Sequence, residues 1–220
     1  YQLPPFTAMG YTANGALVNK ANKITYIKAN HVVTGVEYNP DAASRITVEA
    51  YYKTYANYPF LLREKISLAN LGGDFGVIGN EPVTSDSKGR TFGVEVLLQR
   101  RLTKGFYGLL AYTFGKSEFT NAQNSYAPSS WDSRHIISLT GGKRFGKNWE
   151  LGVKYRYQSG LPGTPFSPNS DLAVNWDRNF AGIPDYSQIN TLRYGAFGAL
   201  DLRLDKKWFF KGWDLNVYLD

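Results

Sequence analysis

One alternating stretch, from Arg90 to Phe119, constrains the fold more than any other part of this chain. Its first arm has an apolar residue at every second position: Phe92, Val94, Val96 and Leu98. After a turn at 103–105 the alternation resumes with Phe106, Gly108, Leu110, Tyr112 and Phe114. Period-two alternation on both sides of a short Gly-containing turn predicts a β-hairpin. Each arm is longer than the usual soluble strand of about 5–6 residues, and suits a tilted strand that crosses a bilayer, which needs about 9–11.

The same unit recurs along the chain. Besides the two arms of the first hairpin, we predict strands over 30–39, 45–58, 132–145, 149–160, 196–205 and 213–220, which gives eight strands. Short turns at 39–44, 103–105, 146–148 and 206–212 alternate with long loops at 59–88, 118–131 and 161–193. This asymmetry is typical of outer-membrane barrels, in which short turns face the periplasm and long loops face the outside.

The two faces of the predicted strands differ in polarity. Because Arg or Lys at the lipid midplane costs about 2–4 kcal/mol, the charged face must look into the barrel lumen. The residues expected there are Glu49, Lys53, Glu95, Gln99, Arg101, Glu150, Lys154, Arg156 and Asp201. They could form cross-strand ion pairs, or line a polar path for a substrate.

Aromatic residues make up 15% of the chain, and Tyr and Trp favour membrane–water interfaces. We expect an outer girdle, or the bases of the loops, at Tyr52, Tyr55, Tyr58 and Trp131. We expect an inner girdle, close to the short turns, at Trp149, Trp208 and Trp213.

Composition excludes several other classes of protein. The sequence contains no stretch of 18 apolar residues, so it predicts no transmembrane helix. The absence of cysteine excludes a disulfide scaffold and a thiolate metal site. The net charge is +7, but the basic residues are scattered rather than clustered, so we expect no nucleic-acid partner. The chain does not open on a signal peptide, so we expect either a mature N-terminus or an internal fragment.

Few residues suggest chemistry, and we predict no catalytic, cofactor or metal site. His31 and His135 lack a Cys or second His nearby, and the four neighbours Asp132, Ser133, Arg134 and His135 would alternate between the two faces of one strand. The Gly-rich segment 72–76 lacks the Gly-Lys-Ser/Thr of a phosphate loop. Substrate-binding residues are unknown; the candidates are aromatic residues expected in loops, namely Phe60, Phe75, Tyr126, Phe166, Trp176 and Tyr186.

Several stretches carry a family resemblance, in order along the chain. They are His31–Tyr38, Glu49–Lys53, Gly89–Glu95, Ala111–Phe114, Trp131–His135, Gly160–Pro165 and Asp201–Trp208. From about residue 29 onward the chain resembles the C-terminal part of the barrel of TonB-dependent outer-membrane receptors of the Bacteroidetes type, the group with a carboxypeptidase-regulatory-like domain.

The resemblance implies an all-β fold, with about eight antiparallel strands of a 22-stranded transmembrane barrel. Residues 1–220 would be part of that single barrel domain, with the plug and N-terminal domains outside this chain. It also implies a non-enzymatic outer-membrane transporter for a large or scarce nutrient, without a cofactor. The partners would be membrane lipid, the TonB complex through the missing N-terminal part, and a surface lipoprotein or other envelope protein on the loops.

Two alternatives remain open at this point. A complete eight-stranded outer-membrane barrel, serving as an anchor or adhesin, requires its first and last strands to pair. A soluble β-sandwich binding module requires its apolar rows to be covered by a second layer of protein.

Overall fold

A computed structural model describes residues 1–5, 8, 10, 17, 19–72, 81–121 and 123–220. The strands are β1 (Lys28–Asp41), β2 (Ser44–Leu61), β3 (Ile66–Ser67), β4 (Val83–Thr103), β5 (Phe106–Thr120), β6 (Tyr126–Pro128), β7 (His135–Phe145), β8 (Trp149–Gln158), β9 (Pro162–Gly163), β10 (Leu192–Arg193), β11 (Phe197–Phe210) and β12 (Trp213–Leu219). The helices are α1 (Leu68–Leu71) and α2 (Ala173–Asn179), with 3₁₀ turns at Lys20–Asn22 and Tyr186–Gln188.

The long strands form one antiparallel meander in the order β1-β2-β4-β5-β7-β8-β11-β12. This confirms the prediction of eight strands joined alternately by short turns and long loops. In the turn between β4 and β5, Lys104 and Gly105 both have positive φ, the geometry that joins strands with a right-handed twist. Among the described residues β1 pairs only with β2, and β12 only with β11, so the sheet is not closed. The complete eight-stranded barrel therefore lacks the pairing that it requires.

Several predicted boundaries were wrong at the long-loop end of the sheet. β4 begins at Val83, so residues 83–88 are strand rather than loop, and β7 begins at His135 rather than at residue 132. Pro59 does not end β2, because it lies in the register shift between Tyr58 and Phe60. The ladder is irregular there, and an irregular position tolerates a residue without an amide hydrogen. At the other end β11 continues to Phe210, and its turn is shorter than predicted.

The register gives the sheet two chemically distinct faces, because directly paired residues point to the same side. One row of what we name the apolar face runs Tyr38, Ile46, Leu98, Leu110, Leu139, Tyr155 and Leu200. The neighbouring row on the opposite side, the polar face, runs Arg45, Gln99, Leu109, Thr140, Lys154 and Asp201.

The apolar face has no protein cover. Leu151, Leu200 and Leu202 are 41%, 61% and 55% exposed, although each is the kind of side chain that a soluble core would bury. This contradicts the soluble sandwich, which would place a second layer over them. A sheet that leaves such a face open needs a hydrocarbon environment on that side.

The buried hydrophobic residues lie instead at the long-loop end. One cluster contains Ala8, Leu61, Leu68 and Val83, and another contains Ile66, Ala127 and Ile189. These residues come from the N-terminal segment and from all three long loops or the strand ends beside them, so the loops pack on one another. We name this assembly the loop layer. No helix in the described part of the chain is long and apolar enough to cross a membrane.

Candidate functional site

The polar face carries a network of paired charges. The Arg144 Nε atom lies 2.9 Å from Glu150 Oε2, and the Tyr107 hydroxyl donates a 2.7 Å hydrogen bond to the other oxygen of that carboxylate. Looser ion pairs join Arg156 to Asp201 at 4.0 Å and Arg45 to Glu37 at 3.8 Å. Because these pairs are exposed, each contributes little to the stability of the fold. Their side chains keep free hydrogen-bond donors and acceptors on the polar face.

Eight of the nine residues expected in the lumen lie in register rows on this face: Glu49, Lys53, Glu95, Gln99, Glu150, Lys154, Arg156 and Asp201. Arg101 lies beyond the last regular pair of β4, where the register shifts, and its amide donates to the carbonyl of Ala43 at 2.8 Å. It therefore belongs to the short-turn rim rather than to the regular rows.

Tyrosine rings cover glycines on the polar face. A Cβ on Gly93 would lie 2.6 Å from the Tyr51 hydroxyl oxygen, and a Cβ on Gly115 would lie 2.8 Å from the same atom. Tyr107 covers Gly142 in the same way. Glycine in a strand often marks such a close approach, and the flat rings strengthen the wall without filling the space beside it.

An aromatic cluster supports the loop layer. Phe119 is 1% exposed and contacts Tyr55, Tyr58 and Trp131, with ring centroids 5.5, 4.7 and 6.1 Å away. Three of the four residues expected in an outer girdle or at loop bases thus form the base of the loops. Tyr52, the fourth, lies on the apolar face and stacks on Phe92. The register places Trp149, Trp208 and Trp213 at the short-turn end of the apolar face.

A buried ion pair joins two long loops. The Asp132 side chain is 0% exposed and accepts a 2.7 Å hydrogen bond from the Ser117 amide. Arg193 donates both to this carboxylate and to the main-chain carbonyl of Asp132, and its guanidinium also reaches the carbonyl of Gly160 at 3.3 Å. Arg134 lies 3.6 Å from the same carboxylate. Sequence reasoning did not find this pair, because its two partners are 61 residues apart.

Asparagine amides make further links between loops. Asn190 donates to the carbonyls of Asn70 and Pro128, at 2.8 Å in both cases, and Asn70 donates to Pro128 at 2.8 Å. Asn19 bonds Ala8, Glu81 and Val83 through both ends of its amide. Since these side chains satisfy buried main-chain groups, they hold the loop layer in one arrangement.

Two side chains in or beside the 3₁₀ turn at Tyr186–Gln188, at the loop end of the sheet, have shifted pKa values. Hydrogen bonds from Ser187 and Gln188 hold the pKa of the Asp185 carboxyl below its usual value. Burial raises the pKa of the Tyr186 hydroxyl, and the nearby carboxylates Glu64 and Glu81 raise it further. Tyr186 packs against the cluster of Ile66, Ala127 and Ile189, so it supports the loop layer rather than lining an open site.

The other aromatic candidates have different environments. Phe60 lies in β2 rather than in a loop, which corrects that expectation, and Phe75 lies outside the described residues. Tyr126 is covered by the Arg90 guanidinium, 4.1 Å from the ring centroid. Phe166 and Trp176 come together at one cavity, a recess of about 290 Å³ beside Asp171.

The histidines and the Asp-Ser-Arg-His segment form no catalytic arrangement. Asp132 is engaged by Arg193, whereas Ser133 donates to the carbonyl of Ser159 at 3.1 Å. His135 instead pairs with Phe114 on the apolar face, where its Nδ1 lies 3.0 Å from the Tyr112 hydroxyl. In the part of the chain that the structure describes, no group of three or more acidic, His or Cys side chains could hold a metal ion.

Several solved structures match most of this chain in fold at low sequence identity. The ferric-catecholate import receptor Fiu of Escherichia coli K12 matches 86% of this chain with 15% identity and a TM-score of 0.56. The FrpB iron transporter of Neisseria meningitidis matches 87% with 16% identity and a TM-score of 0.56. The ferric yersiniabactin uptake receptor FyuA of Yersinia pestis matches 88% with 12% identity and a TM-score of 0.52.

The chain has the fold of an outer-membrane β-barrel receptor. It spans about a quarter of those proteins, namely 22%, 26% and 28% of their lengths. These structural neighbours are receptors and transporters rather than enzymes. No protein-family model matches the sequence, and no curated protein matches it either. In this fold the apolar face is the lipid side, the polar face is the lumen side, and the loop layer lies at the extracellular rim.

Proposed function

We propose that this chain supplies part of the wall and extracellular loops of a TonB-dependent outer-membrane transporter of the Bacteroidetes type. The whole protein would take up a large or scarce nutrient. The remaining strands of a 22-stranded barrel, the plug and the TonB-binding segment would lie in the rest of the protein. Residues 1–220 would belong to its single barrel domain.

The observation that carries this proposal is that one open sheet has two faces of opposite polarity and a folded loop layer at one end. A lipid-facing surface without protein cover, a polar surface behind it and a folded loop layer at one rim are the parts of a transporter barrel. An unclosed sheet also leaves two edges that must pair with further strands in lipid. The sequence resemblance and the structural neighbours support the same class, although a fold alone does not fix a function.

The described residues suggest how the chain would contribute to uptake. Long loops fixed to one another would form a rigid entrance, and the charges of the polar face would contact the plug or the passing substrate. The energy would come from the inner membrane through the TonB complex. Surface lipoproteins or other envelope proteins would meet the loop layer from outside.

Binding to TonB tests the class without knowledge of the substrate. The full-length protein, purified in detergent, is titrated with the periplasmic domain of TonB from the same bacterium. We expect saturable binding that is lost when the segment preceding the plug is deleted. Absence of binding, or binding that survives this deletion, would contradict the proposal.

Growth measurements test transport itself. Strains that lack this gene, or lack TonB, are grown with a single ferric siderophore, cobalamin, glycan or peptide as the limiting nutrient. We expect both deletions to abolish growth on at least one of them. If the gene deletion changes growth on none, the transporter assignment is wrong, whatever the barrel fold.

A further inference from the structure

The cations of the apolar face differ in their partners. At the extracellular end, Arg90 and Lys116 both pair with Glu118, at 2.8 and 2.5 Å. At the short-turn end, Arg100 pairs with Asp41 at 3.2 Å. Lys143 and Lys206 also lie in rows of this face near the short turns, but neither has a carboxylate partner among the described residues.

These two lysines lie on β7 and β11, the strands on either side of β8. Lys143 pairs with Leu151 and Lys206 pairs with Trp149, so β8 runs between them. Two strand spacings of about 10 Å and an offset of two residues, about 7 Å along the strand, separate their main chains by about 12 Å, which two flexible lysine side chains can bridge around one shared anion. In the rows of the apolar face that contain them, no acidic residue is present.

Aromatic rings set the depth of this site. The Lys206 ammonium lies 5.1 Å from the ring centroid of Trp149 and 5.5 Å from that of Trp208, and it donates to the carbonyl of Lys147. Tryptophan favours the level of the lipid headgroups, and lysine stems reach toward that level from the apolar region. An ammonium has three donors, so Lys206 retains donors for a further acceptor.

We propose that Lys143 and Lys206 bind the phosphate of an anionic phospholipid in the leaflet at the short-turn rim. Lys206, held between aromatic rings without a carboxylate, has donors left for an anion, and phosphate is the anion present at this depth. Lys147 and Lys211, in the adjoining turns, add positive charge around it. The proposal depends on the barrel fold and its orientation, and not on the nutrient transported.

Lipid titration of the full-length protein tests this site. Purified protein in neutral detergent is titrated with phosphatidylglycerol, and bound lipid is counted by native mass spectrometry. Each basic residue near an anionic surface contributes about 1 kcal/mol, so each of Lys143→Gln and Lys206→Gln should weaken the tightest site about fivefold. Lys206→Arg should retain binding, because it keeps the charge.

Lys207→Gln is the matched control. Lys207 is adjacent to Lys206 but lies on the polar face, opposite Asn216, so its replacement should leave lipid binding unchanged. Phosphatidylcholine and inorganic phosphate should not compete with phosphatidylglycerol. If Lys207→Gln weakens binding as much as Lys206→Gln, if the double variant Lys143→Gln/Lys206→Gln binds like the wild type, or if inorganic phosphate competes, the proposal is overturned.

Discussion

At the scale of single residues, the loop layer depends most on the buried Asp132 carboxylate. This carboxylate forms an ion pair with Arg193 and accepts a hydrogen bond from the Ser117 amide, and the Asp132 side chain is fully shielded from water. A buried pair of this kind is weak evidence for net stability, but removing one partner leaves an uncompensated charge. Arg193 therefore matters more for the loops than an exposed arginine would.

Arg193→Ala should open the contact between the two loops at a cost of up to about 3 kcal/mol to the loop layer, because the buried Asp132 charge keeps only the looser pair with Arg134 at 3.6 Å. The barrel should remain in the membrane. The measurement is the rate at which an added protease cleaves the loops on intact cells, and we expect that rate to rise. Arg178→Ala, at an exposed position of α2, is the control and should leave the rate unchanged. Equal rates for both variants would mean that the ion pair does not hold the loops.

The glycines under tyrosine rings are a second residue-scale feature. A Cβ on Gly93 would lie 2.2 Å from the main-chain oxygen of Phe114, a distance that only a movement of the backbone could relieve. On Gly152 the nearest atom would be 3.7 Å away, which is an ordinary contact.

Gly93→Ala should therefore lower the thermal unfolding midpoint of the purified protein, with a destabilisation of about 1–3 kcal/mol from overpacking. Gly152→Ala, which is also on the polar face but in β8, should change the unfolding midpoint little. The midpoint can be read in detergent from the loss of the compact band on unheated gels. A stable Gly93→Ala protein would show that β4 and β5 tolerate more separation than the structure has.

At the scale of elements, the sequence predicted the hairpins well because their signal is local. Alternation and two- or three-residue turns specify a strand pair within about thirty residues, as in the hairpin of β4 and β5. The beginning of β4 was missed because Asp86, Ser87, Lys88 and Gly89 read as a turn. Their strand conformation comes from pairing with the end of β2 and from Phe119, whose ring lies over Gly89.

The end of β11 was missed for a related reason. Trp208, Phe209 and Phe210 are consecutive aromatic residues, so they show no alternation even though two face lipid and one faces the other way. The loop layer was not predictable at all. Asn70 and Asn190 are 120 residues apart, and nothing in either loop indicates that the other is its partner.

Two adjacent residues of β4 provide a test of strand orientation. Val96 lies between Val48 and Tyr112 on the apolar face, whereas Leu97 lies between Thr47 and Ala111 on the polar face. Val96→Lys should reduce the free energy of unfolding in lipid by about 2–4 kcal/mol, because it places a charge against hydrocarbon. Leu97→Lys should cost much less, since it lies on the polar face with the nearby carboxylates of Glu49 and Glu95. Denaturant titration in liposomes measures both; equal losses would contradict the assignment of the faces.

At the scale of the whole molecule, the sheet is one surface of a larger wall. Its buried hydrophobic residues lie in the loop layer rather than between two layers of sheet, so the membrane replaces the usual core. The sequence predicted this architecture from the two-sided strands and the unequal loops. In the proposed transporter, the route of a substrate would depend on how the loops meet the plug, which no local pattern encodes.

The most direct measurement is a nitroxide scan of residues 198–204 in β11, with the full-length protein in lipid bilayers. Each position is replaced by cysteine in turn; residues 1–220 contain no native cysteine, and any cysteine in the rest of the full-length protein is first replaced by serine. Collisions with oxygen, which concentrates in lipid, should peak at 198, 200, 202 and 204 and fall at the positions between them. Peaks at 199, 201 and 203, or shielding of the even positions from both oxygen and a water-soluble nickel chelate, would contradict the lipid-facing wall.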